Sequence, residues 1–145
     1  MICPFCSAET KVIDKRDVEG ITRRRRECLS SKCSKRFTTY ERTEINLVVI
    51  KKDSRREHFN REKVRAGITR ACEKRPISTE DIEKMINEIE SRLRGYGTEI
   101  KSSTIGELVM HKLRKLDKIA YVRFASVYRD FQDIDEFKRT IKELK

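Results

Sequence analysis

Histidine is nearly absent from this sequence. Only His58 and His111 occur in 145 residues. Both lie in charged or helical surroundings, so a histidine-centred catalytic triad is not expected. Glycine is scarce too, and Gly20, Gly67, Gly95, Gly97 and Gly106 are the whole set. Neither G-x-x-x-x-G-K-S/T nor G-x-G-x-x-G can be built from them, which argues against a phosphate-cradling ATPase loop. No apolar run nears the roughly 20 residues of a transmembrane helix. No internal repeat or low-complexity linker is present. Acidic residues are the minority, 24 against 35 basic, giving a net charge of +11. These absences point to a soluble, cytoplasmic, non-enzymatic chain with no membrane contact and an affinity for polyanions. Hydrophobic content is only 37%, yet the apolar residues are patterned well enough to make global disorder unexpected.

What is present begins with cysteine. Cys3 and Cys6 are separated by Pro-Phe, and Cys28 and Cys33 by Leu-Ser-Ser-Lys. Two short-spaced pairs on two turns can supply the four thiolates of a tetrahedral zinc site. The intervening segment is long enough for a β-hairpin between two knuckles. Two disulfides would need an oxidising compartment, and no leader precedes Cys3. A redox Cys-x-x-Cys would need a strand before it. One structural zinc per chain is therefore expected. Cys72 falls on an apolar helical face and reads as a small buried hydrophobe.

The charge is uneven. Residues 1–46 carry a net +4, residues 47–75 a net +6 and residues 76–145 a net +1. In the first segment, Arg23, Arg24, Arg25 and Arg26 run up to Cys28, and Lys35 and Arg36 follow Cys33. A guanidinium binds phosphate or guanine through two parallel hydrogen bonds. On a strand the four arginines would alternate, so about two could line one surface. Thr38, Thr39 and Tyr40 add hydroxyls for phosphate oxygens. In the second segment, Lys51, Lys52, Arg55, Arg56 and Lys63 surround Glu57, a cation density that suits a nucleotide triphosphate or further DNA contact.

Short β-prone stretches at 11–14 and 36–40, with a turn at Gly20, make residues 1–46 a ribbon too small for a core of its own. A hairpin over 47–51 and 55–59 opens the second part. Helical periodicity then takes over. The first helix carries Val64, Ile68, Ala71 and Cys72 and stops at Arg75-Pro76. Ser78 with Asp81 caps a second, and Thr104 with Glu107 caps a third. The stripe from Tyr121 to Phe131 marks a fourth, and Ile134, Phe137, Ile141 and Leu144 a short fifth. The stripe is expected to be mostly core, with one tyrosine free to stack on a base.

In order along nearly the whole chain come Cys-Pro-Phe-Cys at 3–6, Val-Ile-Asp at 12–14, Arg-Arg-Arg-Arg-Glu-Cys at 23–28 and Arg-Phe-Thr-Thr-Tyr-Glu at 36–41. Val-Ile-Lys-Lys-Asp at 49–53, Phe-Asn-Arg-Glu-Lys at 59–63, Ala-Cys-Glu-Lys-Arg-Pro-Ile-Ser at 71–78 and Ala-Tyr-Val-Arg-Phe-Ala-Ser-Val-Tyr-Arg-Asp-Phe at 120–131 complete the set. Together they resemble the NrdR family of prokaryotic transcriptional repressors. The resemblance implies an α+β chain: a small N-terminal β zinc ribbon over 1–46, then a mainly α-helical ATP-cone with a short β-hairpin over 47–137, and a helical tail over 138–145. It implies repression of ribonucleotide reductase genes through paired operator boxes in double-stranded DNA. ATP and dATP would act as allosteric ligands on homo-oligomers. The zinc ligands would be Cys3, Cys6, Cys28 and Cys33, and the DNA contacts Arg23 to Arg26 with Lys35 and Arg36. Val49, Lys51, Glu57, Lys63 and Tyr128 match cone positions for the nucleotide, with Arg56 added from the same charged hairpin. Two departures stand out. The second knuckle is two residues longer than the family's usual Cys-x-x-Cys, a length zinc knuckles tolerate. Lys15 replaces a common serine and adds charge near the presumed DNA face.

Overall fold

Nine residues from Thr10 to Val18 form strand β1, followed by β2 (Ile21–Cys28) and β3 (Arg36–Arg42). This computed structural model describes residues 1–18 and 20–144. The three strands make an antiparallel meander in the order β1-β2-β3, with the arginine run on the middle strand. Gly20 turns into β2 at φ 78°, a conformation that costs glycine no Cβ clash. A bulge between Val12 and Asp14 shifts the β1–β2 register by one. The first compact unit, Met1–Glu44, holds this sheet. The only buried apolar side chains among its described residues are Cys3 and Cys28. A sheet with no other core needs a different source of stability, and a bound metal supplies it.

The second unit, Ile45–Lys145, has its own core. Strand β4 (Val48–Ile50) lies between β5 (Arg56–His58) and β6 (Glu99–Lys101), antiparallel to the first and parallel to the second. Helices α1 (Arg61–Cys72), α2 (Thr79–Leu93), α3 (Ser102–Leu116), α4 (Lys118–Tyr128) and α5 (Ile134–Lys142) complete it. Ile82, Met85, Ile86, Ile89 and Leu93 fall at i, i+3, i+4, i+7 and i+11, so α2 buries one full stripe. Leu47, Ile68, Val109 and Leu113 meet that stripe, and Tyr121 is buried with them. Residues 138–142 complete α5, and Leu144 returns to the same core. Arg61 bridges Glu83, Asn87 and Glu90, and Arg65 also reaches Glu83, which clamps α1 to α2.

Helix starts follow side-chain chemistry, with one exception. Asn60, Ser78, Asp117 and Asp133 accept from backbone amides at the first turns of α1, α2, α4 and α5. The Thr104–Glu107 box does not start α3. That helix begins at Ser102, with Lys101 at its N-cap and no side-chain cap. The reason is β6, whose last residue is Lys101: the strand itself delivers the extended backbone an N-cap needs.

Candidate functional sites: a thiol cluster, an arginine strand and a lysine-lined cavity

The two cysteine pairs converge. All four Sγ atoms lie within 4.8 Å of one another. Cys3 and Cys33 are 3.9 Å apart, and Cys6 and Cys28 are 3.4 Å apart. Zinc–sulfur bonds of about 2.3 Å place tetrahedral sulfurs about 3.8 Å from each other, so the cluster fits one ion. Electrostatics agree. Burial works against the Cys3 thiolate, but amides of Phe5 and Cys6 outweigh it and bring the thiol down to about 7. Burial pushes the Cys28 thiol up to about 12. Four crowded thiols do not share their negative charge without a cation among them.

The longer knuckle has a simple geometry. In the first, the Ser7 amide donates to the Cys3 carbonyl at 2.8 Å, and Ser7 has φ 60°. In the second, the Ser34 amide donates to the Ser30 carbonyl at 2.9 Å, and Ser34 has φ 47°. Ser30 thus occupies the turn position that Cys3 holds in the first knuckle. The thiol comes instead from Cys28, two residues earlier at the end of β2, and the Ser30 amide donates to its Sγ at 3.4 Å. The two additional residues are absorbed before the turn, and Cys33 keeps the place corresponding to Cys6.

Arg23 to Arg26 occupy four consecutive β2 positions and alternate between faces. Arg24 pairs with Glu41, and the Arg26 Nε donates to the Thr39 hydroxyl at 3.1 Å. Arg36 lies opposite Glu27 and binds its carboxylate at 3.0 Å. Lys35 projects over the Phe5 ring at 4.5 Å.

In the second unit a cavity of about 710 Å³ is lined by Lys51, Lys52, Arg55, Arg70 and Arg123, with Phe124 and Tyr128. A narrower hollow of about 420 Å³ shares Lys51, Gly67, Ser102, Phe124, Val127 and Tyr128 with it. The hollow adds Glu57 and Lys63, and apolar walls from Val49, Phe59, Val64, Ile105 and Val109. Five of the six cone residues expected from sequence therefore meet here: Val49, Lys51, Glu57, Lys63 and Tyr128. Arg56 does not line either cavity. It pairs with Glu99, because neighbouring residues on β5 face opposite ways. The Glu57 carboxylate sits between Lys51 at 3.0 Å and Lys63 at 3.1 Å, which hold it below the usual carboxylate range. Tyr128 stacks on Phe124 with ring centroids 5.9 Å apart. Its hydroxyl donates to the Ser102 carbonyl at 3.4 Å, and burial raises its phenol above the ordinary value. The ring lies directly on Gly106, where an added Cβ would overlap it. Arg70 and Arg123 were not singled out in the sequence. Arg123 neighbours Phe124 in the aromatic stripe, which was its only signal.

Residues 1–41 match the family model described as "Transcriptional repressor NrdR-like, N-terminal domain", and residues 47–134 match the "ATP cone domain". The chain belongs to the NrdR family. A "Transcriptional repressor NrdR" from Thermotoga neapolitana is 54% identical over 150 aligned positions, covering 100% of this chain and 95% of that protein. One from Petrotoga mobilis is 55% identical, covering 100% and 99%. A third, from Myxococcus xanthus, is 55% identical, covering 100% and 88%. The family is one of regulators and not enzymes. Its zinc ribbon and ATP-cone coincide with the thiol-braced sheet and the lysine-lined unit. No helix is long and apolar enough to cross a membrane among the described residues.

Proposed function

We propose that the chain is a repressor of ribonucleotide reductase genes that grips paired operator boxes in double-stranded DNA through its ribbon. The observation that carries the reading is the arginine run on the middle strand of a sheet braced by four thiols. Cys3, Cys6, Cys28 and Cys33 hold one zinc per chain, and the closed four-sulfur set leaves no open position for catalysis. Arg23 to Arg26, Lys35 and Arg36 are the cationic set from which the ribbon draws its DNA contacts. Residues 1–46 form the DNA module, 47–137 the cone and 138–145 a helical tail. The protein works in the cytoplasm, on the nucleoid when bound.

ATP and dATP occupy the cone without hydrolysis. The apolar hollow beside Val49 and Ile105 suits a base, and the cationic cavity suits phosphates, with Lys51 serving both. Lys63 and Glu57 stand at the boundary, Tyr128 forms a wall, and Arg56 acts from outside through Glu99. One small module buries only about 600–1,000 Å² on DNA, so tight binding calls for two ribbons at fixed spacing. Homo-oligomers of the cone set that spacing. The nucleotides switch it only by binding two assemblies with different affinity. Operator DNA then tightens dATP binding by the same factor.

A gel shift on duplexes upstream of reductase genes, paired with light scattering under ATP, dATP and no nucleotide, tests this. Different oligomers with different DNA affinities are expected. One oligomeric state and one affinity in all three conditions would refute the switch.

A further inference from the structure

Directly paired residues in an antiparallel sheet share a face, so the ribbon's register sorts its charges. Arg23 is flanked by Arg16 and Tyr40, Arg25 by Asp14 and Thr38, Glu27 by Lys11 and Arg36, and Ile21 by Val18 and Arg42. That face carries six cations (Lys11, Arg16, Arg23, Arg25, Arg36 and Arg42) against two carboxylates. The opposite face sets Arg24 between Lys15 and Thr39, Arg26 between Val12 and Phe37, and Thr22 between Asp17 and Glu41. It carries three cations against two carboxylates.

The faces differ further in what their cations already hold. On the second face all are engaged: Arg24 with Glu41, Arg26 with Thr39, and Lys15 with Asp17 at 3.4 Å. On the first, Arg23 and Arg25 have no ion-pair partner among the described residues. Arg42 rests on the Tyr40 ring at 5.6 Å, and Tyr40 is 57% exposed. Thr38 is exposed beside them. Rows two residues apart lie about 7 Å from each other along a strand, so the rows of Arg25, Arg23 and Arg42 span about 14 Å. A duplex presents on the order of eight phosphate charges over that length. Forming new phosphate contacts there breaks no existing ion pair of Arg23 or Arg25. On the second face it would cost the bonds that stitch β2 to β3.

We infer that the ribbon meets DNA with the face of Arg23, Arg25, Tyr40 and Arg42, and that Arg24 and Arg26 hold the sheet together without touching the duplex. This rests on the DNA-binding reading above and assigns its side.

The test is salt-dependent binding of the zinc-loaded full chain to a mixed-sequence DNA duplex, measured by fluorescence anisotropy. Arg23→Gln and Arg25→Gln are each expected to flatten the slope of log K against log salt by about 0.9. Arg24→Gln and Arg26→Gln are expected to keep the slope and lower the ribbon's resistance to a zinc chelator. Glu41→Gln frees Arg24 without removing it and should leave the slope unchanged even if Arg24→Gln fails to fold. Flattening by Arg24→Gln or Arg26→Gln equal to that at 23 and 25, no flattening at 23 and 25, or a steeper slope in Glu41→Gln would overturn the assignment. A parent chain without salt-dependent binding would overturn the DNA reading itself.

Discussion

Ser7 and Ser34 close the two knuckles in the left-handed region. That conformation costs an L-residue roughly 1–2 kcal/mol. Glycine would relieve it while adding roughly 0.4–1 kcal/mol of unfolded-chain entropy. Ser34→Gly is therefore expected to stabilise the zinc-loaded ribbon by about 0.5–1 kcal/mol. Slower zinc loss to a chelator checks it, and faster loss would show that the serine hydroxyl matters more than the backbone. At the cone, Gly106→Ala forces the Tyr128 ring off its seat. Weaker ATP and dATP binding by calorimetry is expected, with the zinc content unchanged. Lys51→Ala and Lys63→Ala should each weaken the same binding, because each removes one of the two cations that flank Glu57 and leaves its carboxylate less compensated.

At the scale of elements, Asp117 does two jobs: its carboxylate caps α4 through the Ala120 amide at 2.8 Å and pairs with Arg75 at 2.8 Å. The Arg75 guanidinium, helped by that amide, holds the carboxyl below its ordinary range. A folded pKa lower than the unfolded one gives stability that is present above about pH 4 and lost as pH falls through the folded value. Asp117→Asn keeps a capping oxygen and should flatten the acid limb of a urea-midpoint profile. Asp117→Ala should cost about 1 kcal/mol more at neutral pH, from the lost cap. A profile unchanged by Asp117→Asn would place the acid sensitivity elsewhere. Elements with a long apolar period were legible in the sequence, α2 above all. Strand β6 was not, because Glu99-Ile100-Lys101 has a single apolar residue and becomes a strand only where β4 offers it a parallel edge. The thiol set was legible from spacing alone. The clustering of Arg70 and Arg123 was not, since it arises from packing α1 on α4. The place of Arg56 outside the cavity lining follows from the strand period, because a strand that turns Glu57 inward must turn its neighbour outward.

For the whole molecule, the two units depend on different stabilisers. The ribbon has no buried apolar side chain besides its cysteines among the described residues, whereas the cone buries a continuous cluster from Leu47 to Leu144. Removing zinc with a chelator should abolish amide protection in β1 to β3 and leave the cone's thermal transition in place. ATP at one hundred times its dissociation constant should stabilise the cone by about 2.7 kcal/mol and leave the chelator sensitivity of the ribbon unaltered. Loss of both transitions on chelation would contradict the separation. The parallel pairing of β4 with β6 also fixes an order of events at synthesis. The meander needs nothing beyond Arg42 to be complete, but Val49 must wait for Ile100, and the cavity for Tyr128. Chains grow at about 5–20 residues per second, so the arginine strand exists for roughly 4–17 seconds before the lysine-lined cavity is made. Under the function proposed above, every newborn copy passes through a short unregulated youth, its basic strand finished and its nucleotide seat not yet made.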